Sequence, residues 1–144
     1  LCVAGTLTDE DGMNQEASLY LLNKGDRDVV WGKLLERPAG TFQSRATHCV
    51  ASETFVYALV QDDTQSQQEL SQTLLRVIKL NRINGAVIFD KALAPPVADV
   101  YSASVEEGET HFSLGKKQLS VRGTYVTSAD RDNPVEFTQH MDLD

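Results

Sequence analysis

The residues of this sequence with the widest chemical range are three histidines, His48, His111 and His140, and two cysteines, Cys2 and Cys49. A hydrolase combines a nucleophile, a base and an orienting group, and no histidine here sits in a local catalytic signature. There is no Gly-x-Ser-x-Gly, no His-Glu-x-x-His and no phosphate-binding glycine loop. Cys49 beside His48 suggests a thiol nucleophile, but neighbours on a strand point to opposite faces, so the two side chains would not meet. The histidines and cysteines could converge on a transition metal only through the tertiary fold, because no pair has ligand spacing. The expectation is a non-enzymatic chain that needs no cofactor.

Hard oxygens are better clustered. Asp9 and Asp11 in Asp9-Glu10-Asp11, and Asp130 and Asp132 in Asp130-Arg131-Asp132-Asn133, are candidate calcium ligands, with further carboxylates at Asp62-Asp63 and Glu106-Glu107-Gly108-Glu109. No cluster has EF-hand spacing, and acidic turns between strands also serve simply to keep a β protein soluble. A carboxylate pair working on a sugar is a further reading, with Trp31, Tyr101 or Tyr125 as the stacking ring; the spacing of such a pair is set by the fold and not by the sequence.

These groups must be held by strands. Val3, Gly5 and Leu7 alternate with Ala4, Thr6 and Thr8, Asp9 to Gly12 breaks the run, and Ala17 to Leu22 resumes it, which reads as a hairpin. Val29 to Leu35 forms a further run containing Trp31, the only tryptophan, read first as a core residue. After the turn at Arg37 to Gly40, Thr41 to Cys49 resumes, and Phe55 to Val60 is a nearly continuous β-branched and aromatic run suited to a strand covered on both faces. Asn84-Gly85 is a strong hairpin signal ahead of Ala86 to Phe89, and Pro95-Pro96 ends that strand. Turn signals recur to the end of the chain, predicting an all-β antiparallel sandwich of about 7 to 10 strands in a single domain over residues 1–144. One segment is ambiguous: Leu70, Leu74, Val77 and Ile78 fall at helical spacing, so a short helix near 67–78 competes with a polar loop running into a strand.

Composition narrows the partners. With 21 acidic and 13 basic residues the formal charge is −8, and the longest basic run is Lys116-Lys117. That balance argues against nucleic acid, whose binding draws on Lys and Arg replacing counterions, and against anionic lipid. No apolar stretch approaches the length of a membrane-spanning helix. The sequence opens at Leu1-Cys2 without Met, and reads as a chain trimmed of an upstream segment. Cys2 and Cys49 are expected to form a disulfide, stabilising by about 3 to 4 kcal/mol in the chain-entropy model. Two buried thiols, or a lipid anchor on Cys2 or upstream of it, are the alternatives. A disulfide implies an exported protein of the periplasm, cell envelope or extracellular space.

The order Val3-Ala4-Gly5-Thr6-Leu7-Thr8-Asp9, Asp11-Gly12, Ala17-Ser18-Leu19-Tyr20-Leu21, Gly40-Thr41-Phe42 and Tyr57-Ala58-Leu59-Val60 resembles the carboxypeptidase regulatory-like or transthyretin-like β-sandwich. The resemblance stops at residue 60, and Met13 to Glu16 replaces the family's usual proline- and glycine-bearing link. It implies a recognition or spacer module, of the kind also found among secretion-system lipoproteins. The leading expectation is therefore recognition of another protein, as an adaptor, a secretion-system component or a toxin inhibitor. The polar stretch from Asp62 to Gln72, with Asp62, Asp63, Gln65, Gln67 and Gln68, is the candidate partner surface, and Trp31 is a further candidate partner residue. A carbohydrate-binding module, with or without calcium, is the alternative, and a small hydrolase comes third.

Overall fold

Three antiparallel meanders follow one another along the chain and stack as three layers. The computed structural model describes residues 1–12, 14–65, 67 and 71–143. The first sheet has the order β1 (Cys2–Leu7), β2 (Glu16–Leu22), β3 (Val29–Leu35). The middle sheet runs β4 (Gln43–Ala51), β5 (Phe55–Asp63), β6 (Thr73–Asn81), β7 (Val87–Leu93). In the third, β10 (Gln118–Thr127) pairs with β11 (Val135–Asp142) on one side. On its other side β8 (Val100–Ser104) and β9 (Phe112–Leu114) pair with separate parts of β10, with a 3₁₀ turn at Glu109–His111 between them.

The pleat of the middle sheet builds both cores. Successive side chains leave opposite faces of a strand, so Val56, Ala58 and Val60 of β5 pack with Ala17, Leu19, Leu21 and Leu35 of the first sheet. Tyr57 and Leu59 face the other way, against Ala103, Phe112, Leu119, Val121 and Phe137 of the third. In β6, Ile78 and Leu80 enter the first core, and Leu75 and Val77 the second. The unbroken apolar run of β5 thus marks a strand covered on both faces, as its composition predicts.

The all-β antiparallel reading holds, with more strands than expected. Among the described residues there are eleven in three sheets, because the split strand β8/β9 contributes two short elements. The reading of 67–78 as a polar loop running into a strand holds over its second half, and the competing short helix is corrected there. Thr73 to Ile78 lies in β6, where the ladders to β5 and β7 decide the backbone and the helical spacing of Leu74, Val77 and Ile78 is coincidental. Residues 68–70 lie outside the described residues.

Candidate functional site

Edge strands from all three sheets meet on one side of the stack. β1 and β4 are terminal strands, and β9 pairs only with β10. An open cleft of about 870 Å³ is lined by Leu1 to Ala4, by Thr47 to Ala51, and by Gly108, Glu109 and Phe112 to Leu114, with Lys24 and Arg82 at its margin. The disulfide between Cys2 and Cys49 joins β1 to β4 across it, with the Cα atoms 6.1 Å apart.

On β1 and β4 alternate backbone groups point away from their own sheets. Leu1 and Leu22 exchange two backbone hydrogen bonds of 3.1 and 2.8 Å. By antiparallel alternation the N–H and C=O of Cys2 and Ala4 then point away from β2. Ser52 donates to the Phe55 carbonyl at 2.8 Å where β4 turns into β5. The same alternation directs the backbone groups of Cys49 and Ala51 outward.

His48 stands at the cleft wall, on the face of β4 opposite Cys49. Its Nε2 lies 2.9 Å from the Glu106 carbonyl oxygen and its Nδ1 2.8 Å from Thr47 Oγ1. A neutral ring satisfies both contacts, with Nε2–H donating to the carbonyl and Nδ1 accepting from the threonine hydroxyl. Burial lowers its pKa from the usual 6.5 and nearby His111 lowers it further, against opposing pulls from the Glu106 carbonyl and Glu107. Thr47 Oγ1 in turn accepts from Gln61 Nε2 at 2.9 Å. Gln61 also clasps Val105, donating to its carbonyl at 3.0 Å and accepting from its N–H at 3.2 Å. This chain pins segment 105–106 to the middle sheet.

His111 reaches the same carbonyl. Its Nδ1 is 3.1 Å from both Glu106 O and Glu107 O, and its Nε2 faces Arg122 Nη2 at 3.4 Å. The fold therefore brings two of the three histidines together around one backbone oxygen that accepts hydrogen bonds from both rings. His140 sits apart on the third sheet, 2.9 Å from Ser120 Oγ. Both cysteines are in the disulfide, which leaves no thiol for Cys-His chemistry. Among the described residues no group of three or more His, Cys, Asp or Glu is placed to hold a metal ion.

Two of the four calcium candidates, Asp9 and Asp130, brace their own turns. Asp9 accepts from the Asp11 N–H at 3.1 Å and from Asn14 Nδ2 at 2.8 Å. Asp130 accepts both of its side-chain contacts from Asn133 Nδ2, at 2.8 and 3.0 Å, while Asp132 is exposed.

The candidate partner segment needs correction at its start. Asp62 and Asp63 close β5 instead of opening a loop. Asp62 is buried, with Arg76 Nε 2.8 Å from its carboxylate and Ser44 Oγ donating to it. Asp63 accepts from Thr73 and Gln43 and pairs with Arg45 at 3.5 Å. A buried carboxylate is stable here because a guanidinium and a hydroxyl meet it. The connection is 64–72, closed at its base by the two bonds between Thr64 and Gln72. The Gln65 N–H donates to Ser71 Oγ and the Gln67 carbonyl accepts from the Ser71 N–H; Gln68 lies outside the described residues.

The aromatic candidates are each engaged. Trp31 packs at the first core and donates from Nε1 to the Arg82 carbonyl at 2.8 Å. Tyr101 is covered by the Arg131 guanidinium at 3.8 Å, and Tyr125 packs against Phe137. The side chains that sequence reasoning missed are Thr47, Gln61 and Arg76. The signal for the last two was polarity inside the apolar runs of β5 and β6, where a strand covered on both faces must give every polar group a partner.

No protein-family model matches the sequence, and no curated protein matches it. Among solved structures, the GH43 endo-arabinanase from Bacillus licheniformis is similar at a TM-score of 0.43 and 16% identity. The match covers 96% of this chain and 52% of that one, so the chain spans about half the length of the arabinanase. Likeness at that level carries no argument about fold or activity. Among the described residues no helix is long and apolar enough to cross a membrane.

Proposed function

We propose that this chain is a non-enzymatic recognition module of an oxidising, extracytoplasmic compartment, and that it takes an extended segment of a partner protein into the cleft between β1, β4 and β9. The observation that supports this reading is the convergence of three sheet edges on one open cleft. A free edge is a ready template for a further strand, with main-chain bonds supplying affinity and pockets for alternate side chains supplying selectivity. The disulfide holds β1 against β4 and so keeps the two edges in fixed register, and it fits an oxidising compartment. The resemblance of residues 3–60 to sandwich modules that act by recognition points the same way.

The test is selection of peptides from a displayed random library, followed by titration against the wild type and Ala4→Pro. Proline at position 4 removes one N–H that points away from β2, so no bond to β2 is broken. Enriched extended peptides whose binding falls tenfold or more in the variant support the proposal. An empty selection, or peptides that bind both proteins equally, overturns it.

Carbohydrate binding is the second reading, favoured by the hydroxyl and charged side chains of Ser113, Glu109 and Lys24 around the same cleft. Against it, Trp31, Tyr101 and Tyr125 are all engaged elsewhere. Saturable binding on a glycan array, competed by no peptide, would favour the sugar.

A further inference from the structure

The two outer faces of the three-layer stack differ in chemistry. On β10 and β11 the residues alternating with buried Leu119, Val121 and Phe137 are Ser120, Arg122, Glu136, Thr138, His140 and Asp142, a polar face made for water. The first sheet does the opposite. Ala17, Leu19 and Leu21 of β2 point into the core, so the outward set is Val3, Leu7, Tyr20, Leu22 and Leu34, with glycines at 5 and 32 and the small Ser18 between Gly5 and Leu34. Val3 is 42% exposed, Leu7 46% and Leu34 51%. The Tyr20 ring lies over Gly32, where an added Cβ would stand 2.6 Å from it, which keeps this face low enough for another surface to approach. Glu16 is the single charged residue in the paired rows of this face and lies at its rim.

We propose that the outer face of the first sheet is a self-association surface, on which a second copy of this chain packs through the same face about a twofold axis. Head-to-tail stacking would set these apolar residues on the polar face of β10 and β11, taking Arg122, Glu136 and Asp142 out of water against a face that offers them no cation and only Glu16 as a charge, and is disfavoured by their desolvation. Packing like face on like face covers apolar surface on both copies and closes the assembly at two. Three strands about 4.8 Å apart and six residues long present roughly 300 Å² in projection, and the accessible area buried in a pair is on the order of 1,000 Å². That is the lower bound for a specific interface, so the dimer is reversible. With −8 on each copy and little charge in the interface, salt strengthens it by screening the repulsion.

The experiment is sedimentation equilibrium of the oxidised chain from about 5 to 500 µM at low and at 0.5 M salt, for the wild type, Leu34→Glu and Thr138→Glu. The expected result is a concentration-dependent shift from 15.9 kDa to twice that mass, favoured by salt. Leu34→Glu should weaken it at least tenfold and Thr138→Glu should leave it unchanged. Equal thermal melting of the dilute proteins excludes loss of folding, which exposed positions 34 and 138 tolerate. A wild type monomeric throughout overturns the proposal. So does growth beyond a dimer, or loss of assembly in Thr138→Glu, because both report head-to-tail stacking.

Discussion

His48 Nε2 lies 2.9 Å from the carbonyl oxygen of Glu106, 58 residues further along the chain. The bond ties the cleft edge of the middle sheet to the segment entering the 3₁₀ turn, and a neutral ring fits it together with an Nδ1 that accepts from Thr47. Because burial lowers the pKa of His48 in the folded state, the unfolded chain binds its proton first, near pH 6.5. Above about pH 6.5 both states are neutral and the group leaves stability unchanged with pH. As pH falls below that value stability declines, levelling once the folded-state pKa is passed. Urea unfolding at pH 7.5 and 5.5 should show a loss in the wild type that is smaller in His48→Gln, since glutamine can still donate to Glu106. His111, Glu107 and Arg122 are present in both proteins, so equal losses would remove His48 as the cause.

Arg76 meets two carboxylates in different surroundings. Asp62, 2.8 Å from Nε, has a side chain 7% exposed, while Asp90, 2.7 Å from Nη1, is 43% exposed. Asp62→Ala leaves a buried guanidinium short of its main partner and should cost about 3 to 5 kcal/mol. Asp90→Ala should cost about 0.2 to 1 kcal/mol, because water already screens that pair. Equal costs in urea titrations would mean that the inner pair is hydrated in solution.

Cys2 and Cys49 close a loop of 47 residues in sequence separation. Opening it relieves the unfolded chain of that constraint, so Cys2→Ser/Cys49→Ser should be less stable by about 2 to 4 kcal/mol. Reductant should lower the melting temperature of the wild type and leave the double variant unaffected. If peptide capture uses the edges of β1 and β4 together, it should also weaken in the variant at temperatures where the variant is folded.

Local patterns made most strands legible. Alternation in Val3 to Leu7 and Ala17 to Leu22, and the solid run Phe55 to Val60, are readable because one strand's burial is written in its own residues. Stacking was legible only for β5, whose run reads as covered on both faces; that two separate sheets do the covering, and that β6 shares the role, emerges only when the first and third sheets both dock on them. The same cause hid the role of Asp62. Beside Asp63 and a glutamine-rich stretch it reads as a loop, and Arg76 and Ser44, which pair with it as a buried strand residue, lie on other strands. The cleft is a product of topology, since no residue type marks a strand as the edge of its sheet.

Gly85 and Trp31 offer a test of how the first core is sealed. Gly85 has φ +73°, and a Cβ there would lie 2.9 Å from Trp31 Cδ2, so the indole rests directly on the glycine. Gly12 has nearly the same φ, +75°, with nothing within 4 Å of a Cβ. Gly12→Ala should therefore lose only the left-handed conformational term, about 1 to 2 kcal/mol. Gly85→Ala adds displacement of the ring, for a total of about 2 to 4 kcal/mol. Trp31 is the only tryptophan, so its emission reads that displacement directly. A red shift in Gly85→Ala, absent in Gly12→Ala, is expected as the ring moves toward water and loosens its hydrogen bond to Arg82. Equal losses with unchanged emission would show that the indole does not rest on Gly85 in solution.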